Sequence, residues 1–278
     1  MQRSKRMKKI GIVFLVLALL LVGCGKVVIK ENKEEKKEEQ NEGIVLKDYD
    51  ETLEDTKEDK EEEKDTPTKK NKVVVIDPGH QLRGDSTPEP NGPGSSTMKA
   101  RVTSGTTGVA TRVPEYVMNL SISLKLRTEL EKRGYTVYMT REVHEINISN
   151  KERAQYATTV GADIAVRIHG NGSTNQSVQG AEAYVPGPSN PYVSNLATAS
   201  NTLGTCILDE YCKATGFRNR GVYVSDTMTG MNWSTVPVTI LEVGFMSNAE
   251  EDRRMQEEAV QANMVQGIAN GIDRYFGF

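Results

Sequence analysis

Cysteine and histidine are both scarce, with three of each in 278 residues. Cys206 and Cys212 lie six apart in a stretch that reads as helix, which separates their Cα atoms by ~9 Å at ~1.5 Å rise, beyond the ~7 Å a disulfide spans. Neither sits in a CxxC or zinc-ribbon spacing, so a disulfide framework and a thiolate metal site are both excluded. An excess of basic charge is also missing: Lys+Arg 35 against Asp+Glu 38 gives −3, which argues against a nucleic-acid binder. The apolar stretch at 10–22 is only 13 residues long, short of the ~20 needed to span a bilayer. No GxxxxGK[ST] phosphate loop is present, and Ser225 and Ser234 lack a nucleophile elbow, which disfavours serine hydrolysis. No internal repeat is evident.

The charge that is there is unevenly spread. Residues 1–24 hold five basic side chains, Arg3, Lys5, Arg6, Lys8 and Lys9, and no acidic one. Followed by the 10–22 run, they read as the positive and apolar regions of a secretory signal. The run ends in Leu21-Val22-Gly23-Cys24, which resembles a bacterial lipoprotein box, so 1–23 is expected to be a lipoprotein signal peptide. Acyl chains on Cys24 would then anchor the chain to the outer face of the cytoplasmic membrane. Residues 25–72 carry 12 Lys and 17 acidic residues with almost no aromatics. Such a composition cannot bury enough apolar surface to offset its ordering entropy, and 24–72 is expected to be a charged, disordered linker. The remaining 206 residues, 73–278, suffice for one ordinary domain without staples.

Within that domain, hydrophobic patterning alternates strands with helices. The β-branched run 73–77 reads as a buried strand. A stretch at 81–113 rich in Gly, Pro, Ser and Thr reads as a surface loop. Pro114 opens a helix that Gly134 closes, with Val117, Leu120, Leu124 and Leu130 at helical spacing. A strand at 135–140 follows, then a helix opened by the capping box Ser149-Asn150-Lys151-Glu152. Further strands are expected at 163–169, 180–185 and 236–243, and helices at 193–213 and 257–275. The order predicts a single α/β domain whose sheet carries helices on both faces.

Two of the histidines occupy equivalent places: His80 follows the first strand through Pro78-Gly79, and His169 ends the strand at 163–169. Ligands of open α/β sheets collect outside the carboxyl ends of strands, so both imidazoles face one rim. A hydrolytic zinc site commonly has three protein ligands and an open position, His₂Glu among the recurrent sets. Glu115, in the first turn behind Pro114, is placed to complete it. Glu242 stands in the otherwise apolar strand 236–243, where an unpaired carboxylate is costly and asks for a cation or a role. Near the metal it would shuttle a proton from water to a leaving amine. Singly, a strand-end histidine is often a hydrogen-bonded structural residue and a first-turn Glu a dipole partner. Their joint placement is what points to a metal. Asp77 is expected to orient backbone or a ligand imidazole, and His144 to lie on the surface.

Five ordered motifs resemble one family. Val75-Ile76-Asp77-Pro78-Gly79-His80, Pro114-Glu115 leading to Asn119-Leu120, Thr140-Arg141, Ile168-His169-Gly170-Asn171, and Leu241-Glu242-Val243-Gly244-Phe245-Met246-Ser247-Asn248 are similar to those of zinc-dependent N-acetylmuramoyl-L-alanine amidases of the amidase-3 type. The resemblance covers nearly all of 73–278. It implies a phosphorylase/hydrolase-like fold with a six-stranded, mostly parallel or mixed sheet. It also implies one Zn²⁺ per chain on His80, Glu115 and His169, with Glu242 as catalytic acid/base. The implied substrate is peptidoglycan, cut between the lactyl group of muramic acid and L-alanine, which suits an extracytoplasmic enzyme tethered through Cys24 and facing the wall. Other readings are a lipoprotein that binds wall glycopeptide without cleaving it, and a metal-dependent hydrolase of another amide. Protein partners are left open. This chain departs from the family's usual pattern at Gln81, where Gly is common, at Arg167, where a small polar residue is common, and in a longer segment between His80 and Glu115. Arg218 or Arg220 would be candidates to meet a stem-peptide carboxylate.

Overall fold

The computed structural model describes residues 69–278; the signal peptide, Cys24 and the expected charged linker up to residue 68 lie outside the described residues. The last four linker residues, 69–72, join the domain, Lys70 N donating to Gly134 O at 3.0 Å. Among those described, no helix is long and apolar enough to cross a membrane. The expected α/β domain is present. Eight strands, β1 (Val73–Pro78), β2 (Asp85–Pro90), β3 (Met98–Val102), β4 (Thr136–Met139), β5 (Ile164–Asn171), β6 (Ala181–Val185), β7 (Asn219–Val224) and β8 (Val238–Phe245), are joined by six helices. These are α1 (Glu115–Lys132), α2 (Asn150–Thr159), α3 (Ala197–Thr215), α4 (Thr229–Asn232), α5 (Ala249–Gln256) and α6 (Glu258–Phe276). The main sheet has six strands in the order β4-β1-β5-β8-β6-β7. All neighbours in it are parallel except β8 and β6, so it is mixed.

Side chains alternate across a strand, and the two faces of this sheet are covered unequally. Val74, Ile76, Ile164, Val166, Leu241 and Val243 point into a large core with α1, α3 and α6. Val75, Ala165, Val238 and Ile240 point the other way, into a smaller core with Ala157 of α2 and Met231 of α4. The second face is therefore roofed only in part. In the same parity as this lesser core, toward the carboxyl ends, come Asp77, Arg167 and His169, and Glu242.

Helix ends follow their sequence signals. Pro114 precedes α1 in extended conformation, and Gly134 follows it at φ 88°, where a left-handed turn suits a residue lacking Cβ. The capping box of α2 is made on both sides, Glu152 N donating to Ser149 Oγ at 3.1 Å and Ser149 N to Glu152 Oε2 at 2.7 Å.

The structure departs from the expected element list in four places. The 81–113 stretch is not a plain loop: β2 and β3 form an antiparallel hairpin with an irregular register between Asp85 and Pro88. Prolines are tolerated because the ribbon has only two strands, both edges. The helix expected at 193–213 begins as a 3₁₀ turn (Ser194–Leu196) before α3. The segment after Phe217, given no element from the sequence, forms the edge strand β7. The last helix is preceded by α5, whose first turn is capped by Asn248 accepting from Glu250 N and Glu251 N. Cys206 and Cys212 are free thiols on one helix, as expected, and burial pushes the Cys212 thiol up to about 12.

Candidate metal centre

The turn after β1 is short and crowded. A Cβ on Gly79 would fall 2.3 Å from the His169 ring, so only glycine lets the two imidazoles approach, their centroids 4.8 Å apart. His80 itself has φ 61°, a left-handed conformation that costs a non-glycine residue energy unless its surroundings enforce it. They do. Arg141 Nε donates to Pro78 O at 2.9 Å and its Nη2 to Gly79 O at 3.0 Å, while Arg153 Nη2 donates to His80 O at 2.9 Å. His80 Nδ1 lies 2.8 Å from Thr103 O.

Asp77 holds this frame from below. Its Oδ1 accepts from Arg153 Nη1 at 2.7 Å and Thr140 Oγ1 at 2.5 Å, and its Oδ2 from Arg167 Nε at 2.6 Å. Burial alone would raise the Asp77 pKa, but the Arg153 and Arg167 guanidiniums outweigh it and hold the carboxyl well below the usual range. Asp77 touches neither imidazole; it orients backbone, through Arg153. Gln81 is buried and fully used, its Oε1 accepting from Ile148 N at 3.1 Å and Arg153 Nη2 at 3.2 Å, its Nε2 donating to Arg83 O and Asn147 Oδ1.

Glu115 enters from the start of α1. Its Oε1 lies 3.1 Å from both His80 Nε2 and His169 Nδ1 and accepts from Gly170 N and Asn119 Nδ2; its Oε2 accepts from Thr106 N at 2.9 Å. Burial would lift its pKa, yet the hydrogen bonds to His169 and His80 hold it well below the carboxylate range. His169 is pushed down to about 4, chiefly by burial, so it is neutral at pH 7, the form that ligates a metal. The donor atoms of His80, Glu115 and His169 all lie within 4.8 Å of one another. Two imidazoles and one ionised carboxylate, with His169 Nε2 buried and unpartnered, fit a divalent cation of the zinc type.

Glu242 lies beside them because β8 runs parallel to β5 with Glu242 in register with His169. Burial, then the negative charges of Glu115 and Glu182, raise its pKa well above the ordinary value, and its Oε2 is buried with no hydrogen-bond partner. Glu182, in register with Glu242 on β6, is engaged by Asn171 Nδ2, the Tyr184 hydroxyl and Arg220 Nε. A cleft of about 560 Å³ opens over the group, lined among others by His80, His169, Glu242, Arg167 and Lys99.

The four residues singled out in the sequence thus meet. Arg218 and Arg220 do not join them: Arg218 is exposed, and Arg220 is paired with Glu182 at 2.9 Å and stacked on Phe245. His144 is half-buried rather than superficial, its ring against Tyr116. Neither Ser225 nor Ser234 bonds an imidazole; Ser234 Oγ donates to Val236 O. Sequence reasoning missed the return segment of the hairpin, where Thr103 O, Thr106 N–H and Gly105 close over the site. A Cβ on Gly105 would fall 2.7 Å from Glu115 Oε2. Asn119 carried a signal, since i,i+4 spacing puts it on the face of Glu115; a backbone carbonyl such as that of Thr103 carries none.

Comparison with known proteins agrees with the motifs. The family model described as N-acetylmuramoyl-L-alanine amidase matches residues 74–274. The N-acetylmuramoyl-L-alanine amidase LytC of Bacillus subtilis is 25% identical over 162 residues, 58% of this chain and 31% of its own length. The chain therefore spans about a third of that curated relative. The catalytic domain of CwlV, an N-acetylmuramoyl-L-alanine amidase from Bacillus (Paenibacillus) polymyxa var. colistinus, is 28% identical, with TM-score 0.60 over 74% of this chain and 98% of that one. Ami1 of Mycobacterium smegmatis, at 21% identity and TM-score 0.67 over 74% of this chain and 97% of that one, shares the fold. With the family's model running from the first strand into the last helix, the chain belongs to the N-acetylmuramoyl-L-alanine amidase family.

Proposed function

We propose that residues 73–278 hydrolyse the amide joining the lactyl group of N-acetylmuramic acid to the L-alanine of the peptidoglycan stem peptide. The observation that carries this reading is Glu242 at the cleft, its buried Oε2 without a hydrogen-bond partner, beside a converging His80, Glu115 and His169. One zinc ion on those three ligands would supply Lewis acidity for the scissile carbonyl and lower the pKa of the attacking water from ~15.7 toward ~7.

The protein's own groups do the rest. Glu115, ionised and gripped by Thr106, Gly170 and Asn119, fixes the negative donor, while Thr103 O orients the His80 ring. Glu242 takes the proton of the water that adds to the carbonyl carbon, then gives it to the alanine nitrogen as the C–N bond breaks. A carboxyl raised well above its usual range suits both halves of this exchange. Wall substrate, an extracytoplasmic location and the lipid on Cys24 complete the reading, supported by the signal-like 1–24 segment.

The full chain loaded with zinc should release stem peptides bearing a new L-alanine amino terminus from purified wall, with loss on chelation. His80→Ala should abolish release, and Glu242→Ala should lower it by about 10²–10⁴-fold, the usual share of acid–base catalysis. New amine equal to wild type in both variants, or none from the wild type, overturns the reading; the second result favours a wall-binding protein.

A further inference from the structure

The cleft has a cationic wall that bond cleavage does not use. Arg167 lies two residues before His169 on β5, so both side chains leave the same face. Its guanidinium is held at two of three nitrogens: Nε donates to Asp77 Oδ2 at 2.6 Å and Nη2 to Asn150 Oδ1 at 2.9 Å. Among the described residues Nη1 makes no hydrogen bond, and the residue lines the cleft. Space is reserved for it, since a Cβ on Gly230 would fall 1.5 Å from Nη1. Lys99, exposed on β3, lines the same cleft and reaches across it to Thr227 O. The charge is not cancelled from beneath, because Asp77 is shared between Arg153 and Arg167.

A fixed guanidinium with a free N–H edge in a cleft is a carboxylate receptor. Arg167 lines the same cleft as His169 and Glu242, so a carboxylate it seats belongs to the part of the substrate next to the scissile bond. In the stem peptide the first carboxylate beyond L-alanine is the α-carboxyl of the following residue. Resting on the amidase reading, we propose that Arg167, with Lys99 at the rim, seats the α-carboxylate of the stem residue after L-alanine. The enzyme then discriminates a free acid from its amide at that place.

Two muropeptides differing only there, L-alanyl-D-glutamate against L-alanyl-D-isoglutamine on the same disaccharide, test it with the full zinc-loaded chain. The wild type should show a kcat/KM ratio of acid to amide of about tenfold or more, as for a hydrogen bond to a charged group. Arg167→Gln should bring the ratio near one and Arg167→Lys should restore part of it. Gly230→Ala, which removes no charge but occupies the place of Nη1, should also lower it. An equal rate on both substrates in the wild type, or an unchanged ratio in Arg167→Gln and Gly230→Ala, overturns the proposal. Because Arg167 also braces Asp77, a measurement without variants is paired with these. Calorimetric titration of wild type with the two free dipeptides should give about tenfold or more tighter binding of the acid, and equal affinity overturns the seat. A chain that cleaves neither muropeptide yet prefers the acid dipeptide refutes the amidase reading and leaves the seat intact.

Discussion

At the scale of single residues, two carboxylates on one face, Asp77 buried and Glu242 half-buried at the cleft, behave oppositely because of their neighbours. Asp77 is ionised by two guanidiniums. Glu242 has no cation against it and is raised by burial and by Glu115 and Glu182. The folded chain therefore holds the Glu242 proton more tightly than the unfolded chain, and stability from this group is full below the unfolded value of 4.5 and lost as pH rises through its higher folded value. Glu242→Gln removes that titration. In chelated protein its melting temperature should match wild type near pH 4 and exceed it increasingly toward pH 8, while peptide release is lost. Thermal melts across that range check the trend, and a variant less stable than wild type at pH 8 contradicts it. The four converging residues were each singled out from a short motif, His80 and His169 near strand ends, Glu115 at a helix start, and Glu242 as the lone carboxylate of an apolar strand. Arg167 was visible only as a departure, since its free edge depends on Asp77 and Asn150 arriving from other elements.

Between elements, α3 and α6 meet through glycines. Gly267 and Gly271, one helical turn apart, face α3 with no side chain between; a Cβ on Gly271 would fall 2.4 Å from Ile207 Cα and 2.7 Å from Cys206 O. These are backbone atoms and cannot swing aside. Alanine would gain up to ~1 kcal/mol in helix propensity, but forced separation of two packed helices costs more, about 1–3 kcal/mol. Gly271→Ala should therefore lower the urea midpoint at unchanged m-value, without altering kcat/KM on folded protein; a raised midpoint would show that the helices are free to part. The sequence displayed the apolar stripe of α6 in Val260, Met264, Ile268 and Ile272, three of which are buried. It hid the glycines' meaning, which requires knowing the partner helix. The β2–β3 hairpin was hidden by Pro88 and Pro90, and the reversal of β6 against β8 by the fact that strand direction leaves no local mark. The α5 cap carried a signal in Asn248 followed by Glu250, Glu251 and Asp252, but the sequence reading placed no helix there.

For the whole molecule, the unequal roofing of the sheet decides where chemistry can occur. One face is closed by α1, α3 and α6, and the other, under the smaller α2 and α4 core, carries the cleft at its carboxyl end, open to a polymer such as the wall if the proposed function holds. Under the proposed reading, delivery to that polymer would fall to the N-terminal segment. The 44 residues of 25–68 set an upper limit on contour length of about 150 Å at ~3.5 Å each. If Cys24 is the acylated residue, Cys24→Ser must separate location from chemistry. The variant should move from the detergent to the aqueous phase on Triton X-114 partition and lose wall cleavage in cells through dilution. Purified, it should cleave isolated wall at the wild-type rate, because every residue of the site lies beyond position 73. Retention in the detergent phase would refute lipidation at Cys24, and loss of activity in the purified variant would place part of the active unit in the N-terminal segment.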